Sequence, residues 1–282
     1  MKKKLLMLLA VVAGFVLVAC GGSEESGDAL EQIKEAGVLT IGTSPDYPPM
    51  EFYVLDENNN RQIVGSDIAL AQAIADEIGV DLEITATDFN GVMANVQSAS
   101  VDMGISGFTW TEKRAEVMEF SEGYLQESAL GFQGIMMQKE FAEQFDSLED
   151  IKAADLVMGA QNGSIQYELA GNLTDAGNIK QYGTLDVGLA ALNEGDIDAM
   201  VVSTSSAEPM LTTFSGLYIL PQEDFDLDPE RIYSTNAIAF PKNGEYDSLI
   251  ELANKVIQES IDNGDIEKWQ AEALELSREA VE

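Results

Sequence analysis

Histidine is absent from all 282 residues. Without imidazole, Ser-His-Asp and Cys-His catalysis are excluded, as is any zinc site with imidazole ligands. Cysteine occurs once, at Cys20, so no disulfide can form within the chain and no thiol nucleophile stands elsewhere. No Gly-rich G-x-x-x-x-G-K-[ST] loop occurs, which removes that route to nucleotide hydrolysis. Basic residues are scarce: 15 Lys and Arg stand against 50 Asp and Glu, a net charge of −35. So acidic a chain lacks the basic face that phosphate contacts require, and nucleic acid is not expected as a partner. Only four arginines occur (Arg61, Arg114, Arg231 and Arg278), so the position of each carries weight.

The one long apolar run lies at the N-terminus. Lys2, Lys3 and Lys4 precede an apolar stretch from Leu5 to Val18, and Leu17-Val18-Ala19-Cys20 follows. A basic start, a short apolar core and small residues before a cleavage point define a secretory signal. The run is shorter than the roughly 20 residues that span a bilayer. Leu-Val-Ala-Cys resembles the lipobox of bacterial lipoproteins, which implies cleavage before Cys20 and a lipid on its sulfur. Residues 1–19 are expected to be the signal peptide and residues 20–30 a lipidated, flexible tether, polar in Gly21–Asp28. With the lysines of the signal removed, an anionic bilayer repels the mature protein, so the acyl chain has to hold it there. The expected location is extracytoplasmic and lipid-anchored, at a Gram-positive cell surface.

Along the rest of the chain, apolar runs alternate with helical periodicity. Strands are expected at Val38–Thr43, Asp81–Ala86, Val101–Ile105, Leu156–Ala160 and Ile197–Val202. Helices are expected from Ser66, with Ile68, Ala71, Ile74 and Ile78 as a buried stripe, and over Phe89–Ser98, Leu148–Ala153, Ser164–Leu173, Leu185–Asn193, Glu208–Phe214, Glu245–Asn263 and Asp265–Leu274. Alternation of this kind argues for parallel sheets covered on both faces. Two long extended segments, Ala129–Met137 and Arg231–Phe240, separate the blocks. They suggest two lobes between which the chain crosses twice, with a small-ligand cleft between them.

Val101–Tyr124 concentrates the chemistry. An apolar strand leads into Ser106, Gly107 and Thr109, and then a helix start where Thr111 is a plausible N-cap. Small residues let a ligand approach the backbone, a helix N-terminus favours an anion, and the Arg114 fork matches a carboxylate. On spacing alone Arg114 serves equally well as a surface arginine of an amphipathic helix.

Several segments together resemble one family. They are Tyr47-Pro48-Pro49-Met50, Gly65-Ser66-Asp67-Ile68-Ala69-Leu70, Asp88-Phe89-Asn90-Gly91, Val101-Asp102 with Ser106 through Arg114, Phe120-Ser121, Asn162-Gly163-Ser164 and Gly195 through Met200. In this order they resemble the type II periplasmic binding proteins, in particular the solute-binding family 3 receptors of polar amino acid ABC importers. The resemblance runs from about Val38 to the C-terminus. It implies an α/β fold of two lobes, each a mainly parallel sheet with helices on both faces, joined by two hinge crossings. Residues 31–130 plus 233–282 would form the first lobe and 131–232 the second. It also implies a monomer that captures a polar amino acid or related small carboxylate and delivers it to an ABC permease, with no cofactor and no catalysis.

By that resemblance Arg114 pairs with the ligand carboxylate, helped by Thr109 and by backbone N–H groups near Ser106, Gly107 and Ser164. Tyr47 and Phe89 match aromatics that sandwich the ligand side chain. Trp110 is expected to turn away from Thr109 and pack. Asp67 is expected to cap its helix. Three positions depart from the family pattern. Ser203 stands where an aspartate usually meets the ligand's α-ammonium, so either another carboxylate (Asp46, Glu168 or Glu208) covers that nitrogen or the ligand lacks it. Ile165 replaces a hydroxyl residue. Ser44 replaces an aspartate common in binders of basic amino acids, which weakens the case for lysine or arginine. Two other readings stay open: a dehydratase of the same fold, with Asp67 or Glu168 as general acid, and a sensor or adhesin.

Overall fold

The computed structural model describes residues 27–281. The signal peptide and Cys20 therefore lie outside the described residues. Residues 29 and 30, expected in the tether, instead open a helix over Ala29–Ala36, which Asp28 caps by accepting from the N–H groups of Leu30 and Glu31. Ala29 and Ile33 anchor that helix in the first core, so residues 29 and 30 belong to the fold.

Two five-stranded sheets organise the chain. The first runs Asp81–Ala86, Val38–Thr43, Met103–Gly104, Ala239–Pro241, Met118–Phe120, and the second Ile179–Tyr182, Met158–Gln161, Ala199–Ser203, Gln133–Gln138, Leu217–Ile219. In each sheet one strand runs against the other four: Ala239–Pro241 in the first and Gln133–Gln138 in the second. Each of these reversed strands is the first that the chain lays down after changing lobes. The sheets are thus mainly parallel, with the reversal at the crossing.

Both faces of each sheet are covered, as the two-residue period of a strand demands. Ile135 and Met137 enter one core of the second lobe while Met136 between them enters the other, and Met200 and Val202 alternate with Ala199 and Val201 in the same way. In the first lobe, the Ser66–Ile78 and Asp247–Asn263 helices bury Leu70, Ile74, Leu249, Ala253 and Ile257 on one face. The Phe89–Gln97 helix buries Val92 and Val96 on the other.

The first crossing precedes the run expected to make it: most of Ala129–Met137 falls in the Gln133–Gln138 strand of the second sheet, and of Arg231–Phe240 only Thr235–Asn236 joins the crossing, before the Ala239–Pro241 strand of the first sheet. Leu125–Gln126 pairs antiparallel with Thr235–Asn236, so the two crossings form one ribbon. A 3₁₀ turn over Glu127–Ala129 follows the first of them, and its Glu127 N–H donates to the Ser234 carbonyl at 2.7 Å. The helix expected at Glu208–Phe214 instead occupies Thr204–Met210, opening at once from the strand that ends at Ser203. Trp110 does turn away from the buried Thr109, but it is 50% exposed and fills no core.

Candidate ligand-binding site

A narrow cavity, with free space of about 20 Å³, lies between the lobes and is lined by residues of both. Its wall from the first lobe includes Ser44, Asp46, Tyr47, Glu51, Phe89, Ser106, Gly107, Thr109 and Arg114, with Glu127 at the crossing. Gln161, Ser164, Ile165 and Gln166 close it from the second lobe. Tyr47, Phe89, Ser106, Gly107, Thr109, Arg114, Ser164 and Ile165, all expected from sequence at the ligand, thus meet here, and Ser203 lies just behind Glu127.

Arg114 sits on a four-residue helix whose start is fixed by Thr111, the Thr111 Oγ1 accepting from the Arg114 N–H at 3.1 Å. That turn folds the side chain inward, where it is 9% exposed. Nη1 donates to the Thr109 carbonyl at 2.7 Å, and Nη2 reaches the Gly163 carbonyl of the other lobe at 3.1 Å. The guanidinium carbon lies 5.3 Å from the ring centre of Phe89 and 5.7 Å from that of Phe108. Such a cation over aromatic faces gains about 2 kcal/mol when desolvated. Burial nevertheless pulls the Arg114 pKa down to about 10. No carboxylate forms an ion pair with Arg114 among the described residues; Glu168 pairs with Lys113 on the exposed side, at 3.0 Å.

Opposite this lone cation stand several carboxylates. Asp46 Oδ1 accepts from Ser44 Oγ at 2.6 Å, while Oδ2 accepts from Gln161 Nε2 at 2.9 Å and the Leu185 N–H at 2.6 Å. The last two donors belong to the second lobe, so Asp46 clasps the lobes together. Burial, with the Asp186 charge adding a smaller push, drives its carboxyl up to about 6. Glu51 is fully buried, takes a hydrogen bond from Ser106 Oγ at 2.9 Å, and leaves Oε2 without a partner. Asp67 is also fully buried, with Oδ1 equally unpartnered. Desolvation raises both groups, Glu51 furthest, with the Asp67 charge adding to the push on Glu51.

Glu127 is the residue that sequence reasoning missed. Its Oε1 accepts from Tyr47 OH at 2.9 Å, from Ser205 Oγ at 3.0 Å, and from Ser203 Oγ. Burial raises its carboxyl, and the Ser203, Tyr47 and Ser205 hydroxyls pull against that. Of the carboxylates named for the ammonium, Glu168 and Glu208 are exposed, and only Asp46 reaches the cavity. The missing acid at Ser44 is made good two residues on, by Asp46, and by Glu51.

Other assignments shift. Asp67 does not cap its helix, whose N-cap is Gly65; its Oδ2 accepts from the Gly107 N–H at 2.9 Å and Tyr124 OH at 2.7 Å. The Gly107 N–H is therefore committed away from the cavity, and the Ser164 N–H turns back to the Gln161 carbonyl at 3.3 Å. Gly107 has a φ of +57°, and a Cβ there would meet the Tyr47 ring at 3.1 Å. Tyr47 faces Glu127, and Phe89 lies under Arg114, so the two aromatics are tied to opposite charges. Neither acid proposed for a dehydratase is free: Asp67 lies outside the cavity lining and Glu168 pairs with Lys113. Among the described residues no cluster of His, Cys, Asp or Glu is placed to hold a metal ion.

Residues 39–274 match the bacterial extracellular solute-binding proteins, family 3. The chain belongs to this family. The arginine-binding extracellular protein ArtP of Bacillus subtilis is 31% identical, covering 95% of this chain and 96% of its own. An amino acid ABC transporter substrate-binding protein from Streptococcus pneumoniae, solved with L-arginine, superposes with a TM-score of 0.76 at 29% identity, covering 88% of this chain and 98% of that one. The fold also extends to an ancestral amino acid-binding protein described as a precursor of cyclohexadienyl dehydratase, with a TM-score of 0.71 and 25% identity. In this family 3 protein the type II periplasmic-binding fold therefore brings one buried guanidinium and three carboxylates to a single inter-lobe cavity.

Proposed function

We propose that the chain captures an amino acid with a cationic side chain, arginine or a close analogue, and does no chemistry on it. One observation carries this reading: Arg114 is buried without a carboxylate partner among the described residues, in a cavity also lined by Asp46, Glu51 and Glu127. A ligand carboxylate completes the guanidinium's fork. The ligand's positive charges offset the surplus of acids lining the cavity, which would otherwise remain buried and uncompensated. That the relatives include proteins named for arginine binding supports the same choice. Calorimetry across the twenty amino acids, with D-arginine as control, tests it. Saturable binding of L-arginine with no binding of L-glutamate is expected; binding of glutamate in preference to arginine, or of no amino acid, would overturn it.

The ligand closes the cleft by joining groups from both lobes, as hinge closure requires. The closed monomer then hands it to an ABC permease. Cys20 carries the lipid that keeps the receptor at the outer surface of the cell membrane. Expression of Cys20→Ala with the native leader is expected to move the protein from the membrane fraction into the medium. Retention in the membrane would count against the anchor.

A further inference from the structure

We propose that Glu127, at the first crossing between the lobes, is the residue that pairs with the ligand's α-ammonium. The inference rests on the reading of the ligand as an amino acid and names a group within its site.

Glu127 is 3% exposed, lines the cavity, and forms no ion pair among the described residues. All three hydroxyls that bind it fall on one oxygen, Oε1. Ser203 Oγ and Ser205 Oγ also lie 2.9 Å apart, so one can donate to the other, and no hydrogen bond among the described residues falls on Glu127 Oε2, which leaves that oxygen for a ligand. The other acids are engaged differently. Asp46 has both oxygens occupied, three donors in all, two of them from the opposite lobe. Glu51 is fully buried with Oε1 held by Ser106 Oγ, and the Asp67 charge adds to the burial that disfavours its ionisation.

Position agrees with charge. The Gly163 carbonyl that meets Arg114 follows the Met158–Gln161 strand, and Ser203, which meets Glu127, ends the Ala199–Ser203 strand. These strands are parallel neighbours, with Met158 opposite Ala199 and Gly159 opposite Met200. Arg114 and Glu127 are therefore docked at adjacent strand ends, and neighbouring strands lie about 4.8 Å apart. An α-carbon bearing a carboxylate and an ammonium spans a gap of that order. Ser203 and Ser205 come from the second lobe, whereas Glu127 and Tyr47 do not, so the ammonium's partner is fixed by both lobes at once.

The test compares L-arginine with 5-guanidinopentanoate, the same chain without the α-amine, by calorimetry at pH 7. Wild type is expected to prefer L-arginine. Truncating a buried charge partner costs about 30-fold or more, so Glu127→Gln is expected to weaken L-arginine by at least that factor and the deaminated analogue by less than about threefold. Equal losses for the two compounds, or an unchanged affinity for L-arginine, would overturn the inference while leaving the amino-acid reading intact. Failure of wild type to bind any amino acid would remove both. Should Glu127→Gln not fold, the pair Glu127→Ser with Ser203→Asp moves the carboxylate across to the strand end. Recovery of L-arginine binding relative to Glu127→Ser alone is expected, and no recovery in a folded protein would overturn it.

Discussion

Arg114 of the first lobe donates to the backbone carbonyl of Gly163 in the second, Nη2 to oxygen 3.1 Å, and Gly163 is held open for this contact by its own φ of +76°. A charged donor thus spends one hydrogen bond on a neutral acceptor across the cleft. The interaction draws the lobes together without neutralising the guanidinium, and the charge remains for a ligand to satisfy.

Replacing Arg114 therefore separates recognition from folding. Arg114→Ala removes the cation and is expected to cost about 2–5 kcal/mol of ligand binding, a loss of about 30-fold or more in affinity. Arg114→Lys keeps the charge but not the fork, and one ammonium cannot serve the Thr109 carbonyl, the Gly163 carbonyl and a carboxylate in one plane. Its L-arginine affinity is expected to fall by about tenfold or more, measured by calorimetry. Wild-type affinity in Arg114→Lys would show that the ligand does not use the fork.

The local parts of this site were legible before the structure, and the long-range parts were not. Thr111 and Arg114 are three residues apart, so the cap follows from spacing, whereas spacing left the inward turn of Arg114 undecided. The buried stripe of the Ser66–Ile78 helix follows from periodicity, through Ala71 and Ile74. Glu127 carries no such signal. It sits in a 3₁₀ turn, and its serine donors lie 76 and 78 residues further on. Ser203 announced only that a charge was missing. Where the charge had gone depends on how two lobes close, which no periodicity encodes. The same holds for Gly107 and Ser164, whose N–H groups look available until Asp67 and the Gln161 carbonyl take them.

Asp46 makes the closed form sensitive to pH. Its carboxyl is raised to about 6, so the folded, closed protein binds this proton more tightly than the unfolded chain does. A raised acid makes stability rise as pH falls from about 6 towards the ordinary carboxylate range, and lose that gain above pH 6. The ionised clasp is expected to cost about 1–3 kcal/mol at pH 7. Asp46→Asn keeps an acceptor for the Leu185 N–H and removes the titration. Melting curves of the ligand-free proteins should show wild type gaining on Asp46→Asn between pH 7 and pH 4.5. Glu51, Asp67 and Glu127 are present in both proteins and cancel in the difference; parallel curves would sink the assignment.

Glu51 and Asp67 present the opposite case, acids whose unpartnered oxygens leave the apo protein less stable than it could be. Glu51→Gln replaces the buried carboxyl with an amide of the same shape. The ligand-free variant is expected to gain about 1 kcal/mol, since replacing buried ionisable groups by neutral ones is often stabilising. For a chain of this size that corresponds to a rise of about 2–4 °C in melting temperature. A loss of stability would mean that Glu51 is ionised and paired by a group other than Asp67.

Gly65 decides whether the cavity forms at all. Its φ is +135°, and a Cβ built there would lie 2.0 Å from the Met50 carbonyl oxygen. The same seam is tied by the Ser66 N–H to the Pro49 carbonyl at 3.1 Å and the Asp67 N–H to the Met50 carbonyl at 3.0 Å. Any side chain at position 65 must part this seam, moving Glu51 out of the cavity wall and Asp67 off the Gly107 N–H. Gly79 provides the control, with a φ of +85° and nothing within 4 Å of an added Cβ. Gly79→Ala pays only for left-handed backbone, about 1–2 kcal/mol. Gly65→Ala pays for that and for the clash, and is expected to exceed about 4 kcal/mol, enough to abolish ligand binding with it. Urea unfolding of the two variants side by side distinguishes them, and equal losses would show that the Met50 loop yields freely.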